Sequence, residues 1–205
     1  MDKDELQKKY NQFARWYDVG EMLPEILAVR KLRIELLRKA SGRVLETAVG
    51  TGKNFRYYPG TCDITALDLS PRMLEIARKR AMRLGINVDF LIGDAEALPF
   101  RDRTFDTIVD SLTLCTFTNA IAALREMARV CRLEGRILLL EHGQSDREWV
   151  GRWQDRRADR HEEKFGCRWN LYPPDLVREA GLPLKNSCRT FFGIFWAIQA
   201  TPQAH

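Results

Sequence analysis

Short apolar runs of strand type alternate with helix-patterned segments between residues 43 and 140, and that alternation leaves few folds open. The runs Arg43–Ala48, Cys62–Leu67, Val88–Ile92, Phe105–Asp110 and Arg136–Leu140 are apolar at successive positions, which suits strands covered on both faces. Between them, residues 71–84 read as a helix begun at Ser70-Pro71 and ended near Gly85, and residues 119–132 as one ended near Gly135. Strands that alternate with helices predict a mostly parallel sheet with helices on both faces. The tail, 186–200, reads as two strands around a turn near Gly193, a hairpin that completes the sheet.

Two helices are expected ahead of the sheet, over residues 5–18 and from Pro24 to about Ala40. Residues 144–165 are dense in both charges and break the alternation; Trp149 and Trp153 share a helix face there, and Pro173-Pro174 opens a short helix over 173–181. With 205 residues and no repeat or linker, one domain is expected. It divides into N-terminal helices (1–41), a core (42–142) and a C-terminal segment with the hairpin (143–205).

A hydrophobic fraction of 45% and a charged fraction of 30% exclude disordered and collagen-like classes. The net charge of +5 permits anionic partners without requiring them, and nucleic acid is not expected. No apolar run is long enough to span a bilayer, and the charged start Met1-Asp2-Lys3-Asp4-Glu5 does not read as a signal peptide. The five cysteines are odd in number and form no CxxC pair, and their spacing to histidine suits no zinc site. Reduced thiols in a cytoplasmic protein, with no metal, are the expectation.

The segment Val44-Leu45-Glu46-Thr47-Ala48-Val49-Gly50-Thr51-Gly52 carries the chemistry: a strand feeds a turn whose glycines let a ligand approach the backbone. Asp68, at the end of the next strand, is placed to accept both hydroxyls of a ribose. A dinucleotide site needs a third glycine where Phe55 stands, and Glu46 would repel a pyrophosphate. Glu46 would instead attract a cationic cofactor. S-adenosylmethionine carries an ammonium and a sulfonium and no phosphate, so charge favours it over a nicotinamide cofactor. Asp94 to Phe100 after the third strand, and Asp110 at the end of the fourth, extend the series of polar groups at strand ends.

With those residues in view, the chain resembles class I S-adenosylmethionine-dependent methyltransferases of the ubiquinone/menaquinone type from about Tyr10 to Leu140. The matching pieces are Tyr10 to Asp18, the glycine turn, Leu67 to Leu74 and Gly93 to Phe100. The resemblance implies a Rossmann-like open twisted sheet of seven mostly parallel strands, a C-terminal β-hairpin and an N-terminal helical lid. Ala48 departs from the pattern, standing where the family usually has the first loop glycine; a slightly altered turn with binding retained is expected.

The resemblance also implies roles. Gly50 and Gly52 pass the methionine moiety with Glu46 behind them. Asp68 holds the ribose, and Leu69 and Met73 flank the adenine. Asp94 accepts from the adenine amino group, beside the Ala95 N–H. Ser111 and Leu112 floor the cofactor, and Tyr17 and Tyr10 belong to the lid.

Methyl transfer needs alignment and exclusion of water, and a base only where the acceptor must lose a proton. His142, after Glu141, is the first candidate base, followed by Asp110 and Tyr172. Trp149, Trp153, Phe165, Trp169 and Tyr172 offer an aromatic supply for a small, lipophilic acceptor. Leu112 to Thr116, Glu141-His142 and Phe191-Phe192-Gly193 are similar to membrane-associated thiol methyltransferases. The 50–55 turn and Arg15 to Asp18 are similar to bacterial phosphatidylethanolamine N-methyltransferases.

A quinol, a thiol or a phospholipid amine is the implied acceptor class, with S-adenosylhomocysteine as the other product. Arg30, Lys31, Arg33, Arg38 and Lys39 beside leucines would allow peripheral contact with an anionic bilayer. Two alternatives stay open: a nicotinamide-dependent oxidoreductase on a similar sheet, and an inactive cofactor-binding partner subunit. The oligomeric state is not legible.

Overall fold

The computed structural model describes residues 3–14 and 25–202. Seven strands form one sheet: β1 (Arg43–Thr47), β2 (Asp63–Asp68), β3 (Val88–Ile92), β4 (Phe105–Ser111), β5 (Cys131–His142), β6 (Leu184–Thr190) and β7 (Phe195–Ala200). Their order is β3-β2-β1-β4-β5-β7-β6. Neighbours from β3 to β5 pair parallel, and β7 pairs antiparallel with both β5 and β6. The mostly parallel α/β sheet with its C-terminal hairpin is as the alternation predicts. Strand order reverses between β1 and β4, so a crevice opens beyond their C-terminal ends.

The helices are α1 (Lys3–Phe13), α2 (Arg30–Leu37), α3 (Pro71–Leu84), α4 (Ala120–Val130), α5 (Glu148–Asp155), α6 (Ala158–Phe165) and α7 (Pro173–Glu179). The helix expected from Pro24 begins, among the described residues, as a π-helical turn, Glu25–Val29, that runs into α2. The N-terminus of α3 is fixed locally: the Ser70 hydroxyl accepts from Met73 N at 3.1 Å, and Pro71 follows. Gly85 closes it in the left-handed conformation at φ 66°. The charge-dense segment 144–165 forms two short helices, α5 and α6, and Trp149 and Trp153 both lie on α5.

The core lies on both faces because side chains alternate along each strand. Val44, Val109, Leu138 and Leu140 face one layer, with Leu36, Leu37, Phe55 and Leu74. Leu45, Ile108, Ile137 and Leu139 face the other, with Leu124, Met127 and Ile198. Helix α2 gives Leu32, Leu36 and Leu37 to this core. Arg33 is buried beside them, paired with Glu25 at 2.7 Å, so it leaves the expected basic membrane face. Lys31 lies 3.9 Å from Glu35 on the exposed side. Among the described residues, no helix is long and apolar enough to cross a membrane.

Candidate active site

A cleft of about 1020 Å³, counting its open mouth, lies beyond the C-terminal ends of β1, β2 and β4. Its wall contains Tyr10, Glu46, Ala48, Gly50, Asp68, Leu69, Met73, Asp94, Ala95, Ser111 and Leu112. All were expected to touch a cofactor. Tyr17, the other expected lid residue, lies outside the described residues.

The turn after β1 is built from left-handed backbone. Ala48, Gly50 and Gly52 have φ of 46°, 56° and 76°. Ala48 thus keeps a conformation that suits glycine and bears its strain, a cost of about 1–2 kcal/mol. Gly52, expected beside the methionine moiety, is not part of the cleft wall. A Cβ there would stand 2.4 Å from the Phe55 ring, so the glycine serves packing. A Cβ on Gly50 would meet nothing within 4 Å.

Asp68 accepts from Gly50 N at 2.7 Å and from Ser70 N at 2.8 Å, one bond to each carboxylate oxygen. Each oxygen keeps a second lone pair toward the cleft. Burial pushes this carboxyl up to about 6, against the pull of those two N–H groups.

Glu46 is buried in the cleft wall and receives Asn54 Nδ2 at 2.8 Å and the Tyr58 hydroxyl at 2.8 Å. Burial raises it to about 7, opposed by those hydrogen bonds and by Arg33. Asn54 Nδ2 also donates to Ser111 Oγ at 3.0 Å, and Asn54 Oδ1 accepts from Arg33. One amide therefore joins the tip of β1 to the tip of β4. Arg33, Lys53 and Asn54 all line the cleft. Sequence reasoning missed them as site residues; for Arg33 the signal was a cation among the buried leucines of α2, and for Asn54 a polar side chain directly beyond the glycine turn.

Helix α1 covers one side. Gln7 donates to Leu69 O at 2.7 Å, and Asn11 accepts from the Ser70 hydroxyl at 2.7 Å. Lys3 reaches Asp94 at 2.5 Å and Glu96 at 3.0 Å. Asp94 also accepts from Glu96 N at 2.8 Å. In this arrangement a lysine from the covering helix stands against the carboxylate expected to meet adenine.

None of the three candidate bases lines the cleft. Asp110 is fully buried beneath it and accepts from Thr47 Oγ1 at 2.6 Å and Thr113 Oγ1 at 2.6 Å. Its neighbour Glu141 is equally buried, and burial raises both carboxyls, Glu141 further through the charge of Asp110. Two such acids share a proton rather than both ionise. Tyr172 packs edge-on against Trp196 at 5.1 Å. His142 Nε2 lies 3.1 Å from Cys115 Sγ and 3.3 Å from Cys167 Sγ, so sulfur occupies the nitrogen a base would use.

The expected aromatics do not line the cleft either. Trp153 packs on Trp169 at 5.0 Å, and His161 stacks on Trp169 at 4.0 Å. Instead the far wall is Leu112, Thr113, Thr116 and Phe117 from the loop after β4. Leu112 holds a strained φ of 62°, with its N–H donated to Leu140 O at 2.7 Å.

Residues 45–139 match the family described as a methyltransferase domain. The chain is 32% identical to the mitochondrial methyltransferase OMS1 of Saccharomyces cerevisiae over 93% of this chain and 45% of that protein. It is 35% identical to the demethylmenaquinone methyltransferase of Thermotoga maritima, over 68% of this chain and 62% of that one. A phosphatidylethanolamine N-methyltransferase of Cereibacter sphaeroides is 29% identical, over 72% of each. The chain thus spans about half the length of OMS1 and under two thirds of the Thermotoga maritima enzyme. Among solved structures, a SAM-dependent methyltransferase from Thermotoga maritima superposes with a TM-score of 0.71 at 22% identity, covering 97% of this chain and all of that one. At that identity the likeness speaks for the fold alone.

Proposed function

We propose that the chain, whose residues 45–139 match a methyltransferase domain, acts as a class I, S-adenosylmethionine-dependent methyltransferase and transfers the methyl group to a small, lipophilic acceptor. The observation that carries this reading is one continuous cleft: acids line its β1–β3 end, and Leu112, Thr113, Thr116 and Phe117 close the other. Relatives named for demethylmenaquinone and phosphatidylethanolamine methylation support the lipophilic class.

The residues fit the cofactor group by group. Asp68 offers two acceptor lone pairs to a ribose, since its backbone bonds use only one per oxygen. Leu69 and Met73 give the purine apolar walls, with Asp94 and the Ala95 N–H at its polar edge. Glu46 supplies negative charge for the ammonium. Arg33 and Lys53, both in the wall, supply the positive charge a methionine carboxylate needs. When bound, S-adenosylmethionine supplies an electrophilic methyl group on a good leaving sulfur.

The chain's own contribution is then to orient and to exclude water. Helix α1 covers the purine end. The strained Leu112 backbone fixes the loop that turns an apolar wall toward the acceptor. Asp110, His142 and Tyr172 stand outside the cleft wall, which favours an acceptor whose nucleophile, a thiolate or a neutral amine, needs no base from them. The exposed Trp149, Phe191 and Phe192 give the C-terminal side an aromatic edge for contact with a lipid surface, in place of the basic face expected on α2.

The test is methyl transfer from labelled S-adenosylmethionine to thiols, lipid amines and quinols. Label in the organic extract of one class supports the reading. Label found only in nucleic acid or protein overturns it, and cofactor binding without transfer to any acceptor supports the inactive-subunit alternative instead.

A further inference from the structure

Three soft donors meet beside the loop that forms the acceptor wall. Cys115 Sγ and Cys167 Sγ are 3.2 Å apart, and His142 Nε2 lies 3.1 Å from the first and 3.3 Å from the second. They come from three elements: the loop after β4, the end of β5 and the turn after α6. Their separations along the chain are 27, 25 and 52 residues, which no linear metal motif displays. We propose that Cys115, His142 and Cys167 form a three-ligand site for a thiophilic divalent cation of the zinc type, its fourth position taken by water or an incoming donor.

The geometry favours a cation over the alternatives. A disulfide would put the sulfurs about 2.05 Å apart and would leave the histidine without a purpose. In a tetrahedral site with bonds of about 2.3 Å to sulfur and 2.0–2.1 Å to nitrogen, the donor atoms stand roughly 3.5–3.8 Å from one another. The observed triangle reaches that by side-chain shifts of a few tenths of an ångström. All three donor atoms lie within 4.8 Å of one another, and no other such cluster occurs among the described residues.

Charge and support agree. Two thiolates balance the charge of a divalent cation. The two cysteine loops are already fastened together by Arg168 N donating to Cys115 O at 3.0 Å. His161 Nδ1 meets Cys167 O at 2.7 Å, the kind of outer contact that orients a ligand. Gly166, left-handed at φ 71°, ends α6 and turns the chain at Cys167. A bound cation would thus clamp the 158–170 segment onto the tips of β4 and β5. The site stands on its own donors and does not depend on the methyl acceptor.

The test uses the full chain, freed of metal by chelation under reducing conditions, with Co²⁺ and Zn²⁺ alone as probes. Saturable Co²⁺ binding should give a thiolate-to-cobalt charge-transfer band that Zn²⁺ abolishes, and Zn²⁺ should raise Tm. Cys167→Ser and His142→Ala should each weaken binding by more than about tenfold, while Cys188→Ser, at an exposed thiol, should leave it unchanged. Circular dichroism of the metal-free variants establishes that they fold; since Cys115 is buried, Cys167→Ser decides. A cobalt complex without the thiolate band, a band indifferent to Cys167→Ser, or a Cys115–Cys167 disulfide in place of metal uptake would each overturn the proposal.

Discussion

The tips of β1 to β3 and the tips of β4 and β5 both gather buried acids, and they stabilise them differently. On the first side Asp68 takes one backbone N–H from the turn after β1 and one from its own turn, and Glu46 takes an amide and a phenol. Each keeps a claim on negative charge. On the second side Asp110 and Glu141 lie against one another, and burial raises both carboxyls, Glu141 further through the charge of Asp110. The first region is an acidic surface held ready for a cationic nucleoside; the second is structural support with a cluster of sulfur and imidazole beside it. Polarity alone does not mark a cofactor site. What the polar group is bonded to does.

The turn that presents Asp68 and Glu46 is where the two regions differ most in their response to substitution. Gly52→Ala forces a side chain into the Phe55 ring at a left-handed position and should cost about 2–4 kcal/mol in urea unfolding. Gly50→Ala, with open space around it, should cost only about 1–2 kcal/mol. Equal losses would mean that the turn is not packed as described.

Next in size, Asp68→Ala should weaken S-adenosylmethionine binding on the order of 100-fold by calorimetry, since charge-assisted hydrogen bonds contribute about 1.5–3 kcal/mol each. An unchanged dissociation constant would remove the ribose assignment.

Glu46 gives the comparison a pH axis. Its folded-state value of about 7 lies above the ordinary 4.5, so the cost of burying its charge grows as pH rises from 4.5 and is complete above 7. An ammonium in the cleft favours the ionised form. Cofactor affinity should therefore rise with pH below 7, by at most about tenfold per unit, and level off above it. Glu46→Gln should flatten that profile, with Asp68, raised to about 6, leaving a residual slope at lower pH.

Two smaller effects refine the picture. Ala48→Gly relieves a φ of 46° and should stabilise the protein by about 1 kcal/mol, offset in part by the freedom glycine gains when unfolded. On the other side, Glu141→Gln mimics the protonated acid and should change stability by less than about 1 kcal/mol at neutral pH. A large loss there would show that Glu141 is ionised, and the two regions would no longer differ in kind.

Much of the β1–β3 side was legible because its chemistry is local. Glu46, Ala48 and Gly50 belong to one strand and its turn, Asp68 to Ser70 to the next, Asp94 and Ala95 to the third. Each piece carries its own pattern of strand, turn and helix start. Gly52 was read as a turn residue that passes the cofactor; in the structure the ring of Phe55 three positions on accounts for the glycine. Arg33 was read as surface charge because its helix has the composition of a basic amphipathic face. Its burial depends on Glu25 and Asn54, one from the preceding turn and one from the loop after β1.

The sequence by itself determined the alternating parallel sheet, the hairpin that closes it and the acids at the first three strand ends, since burial and turn chemistry act over a few residues and leave a periodic trace. Only the tertiary structure decided which polar groups share a cleft and which lie beneath it, that three expected bases stand outside it, and that Cys115, His142 and Cys167 meet. The last of these joins segments 25 to 52 residues apart. Such juxtapositions are set by how strands register and loops cross, and no local pattern encodes that.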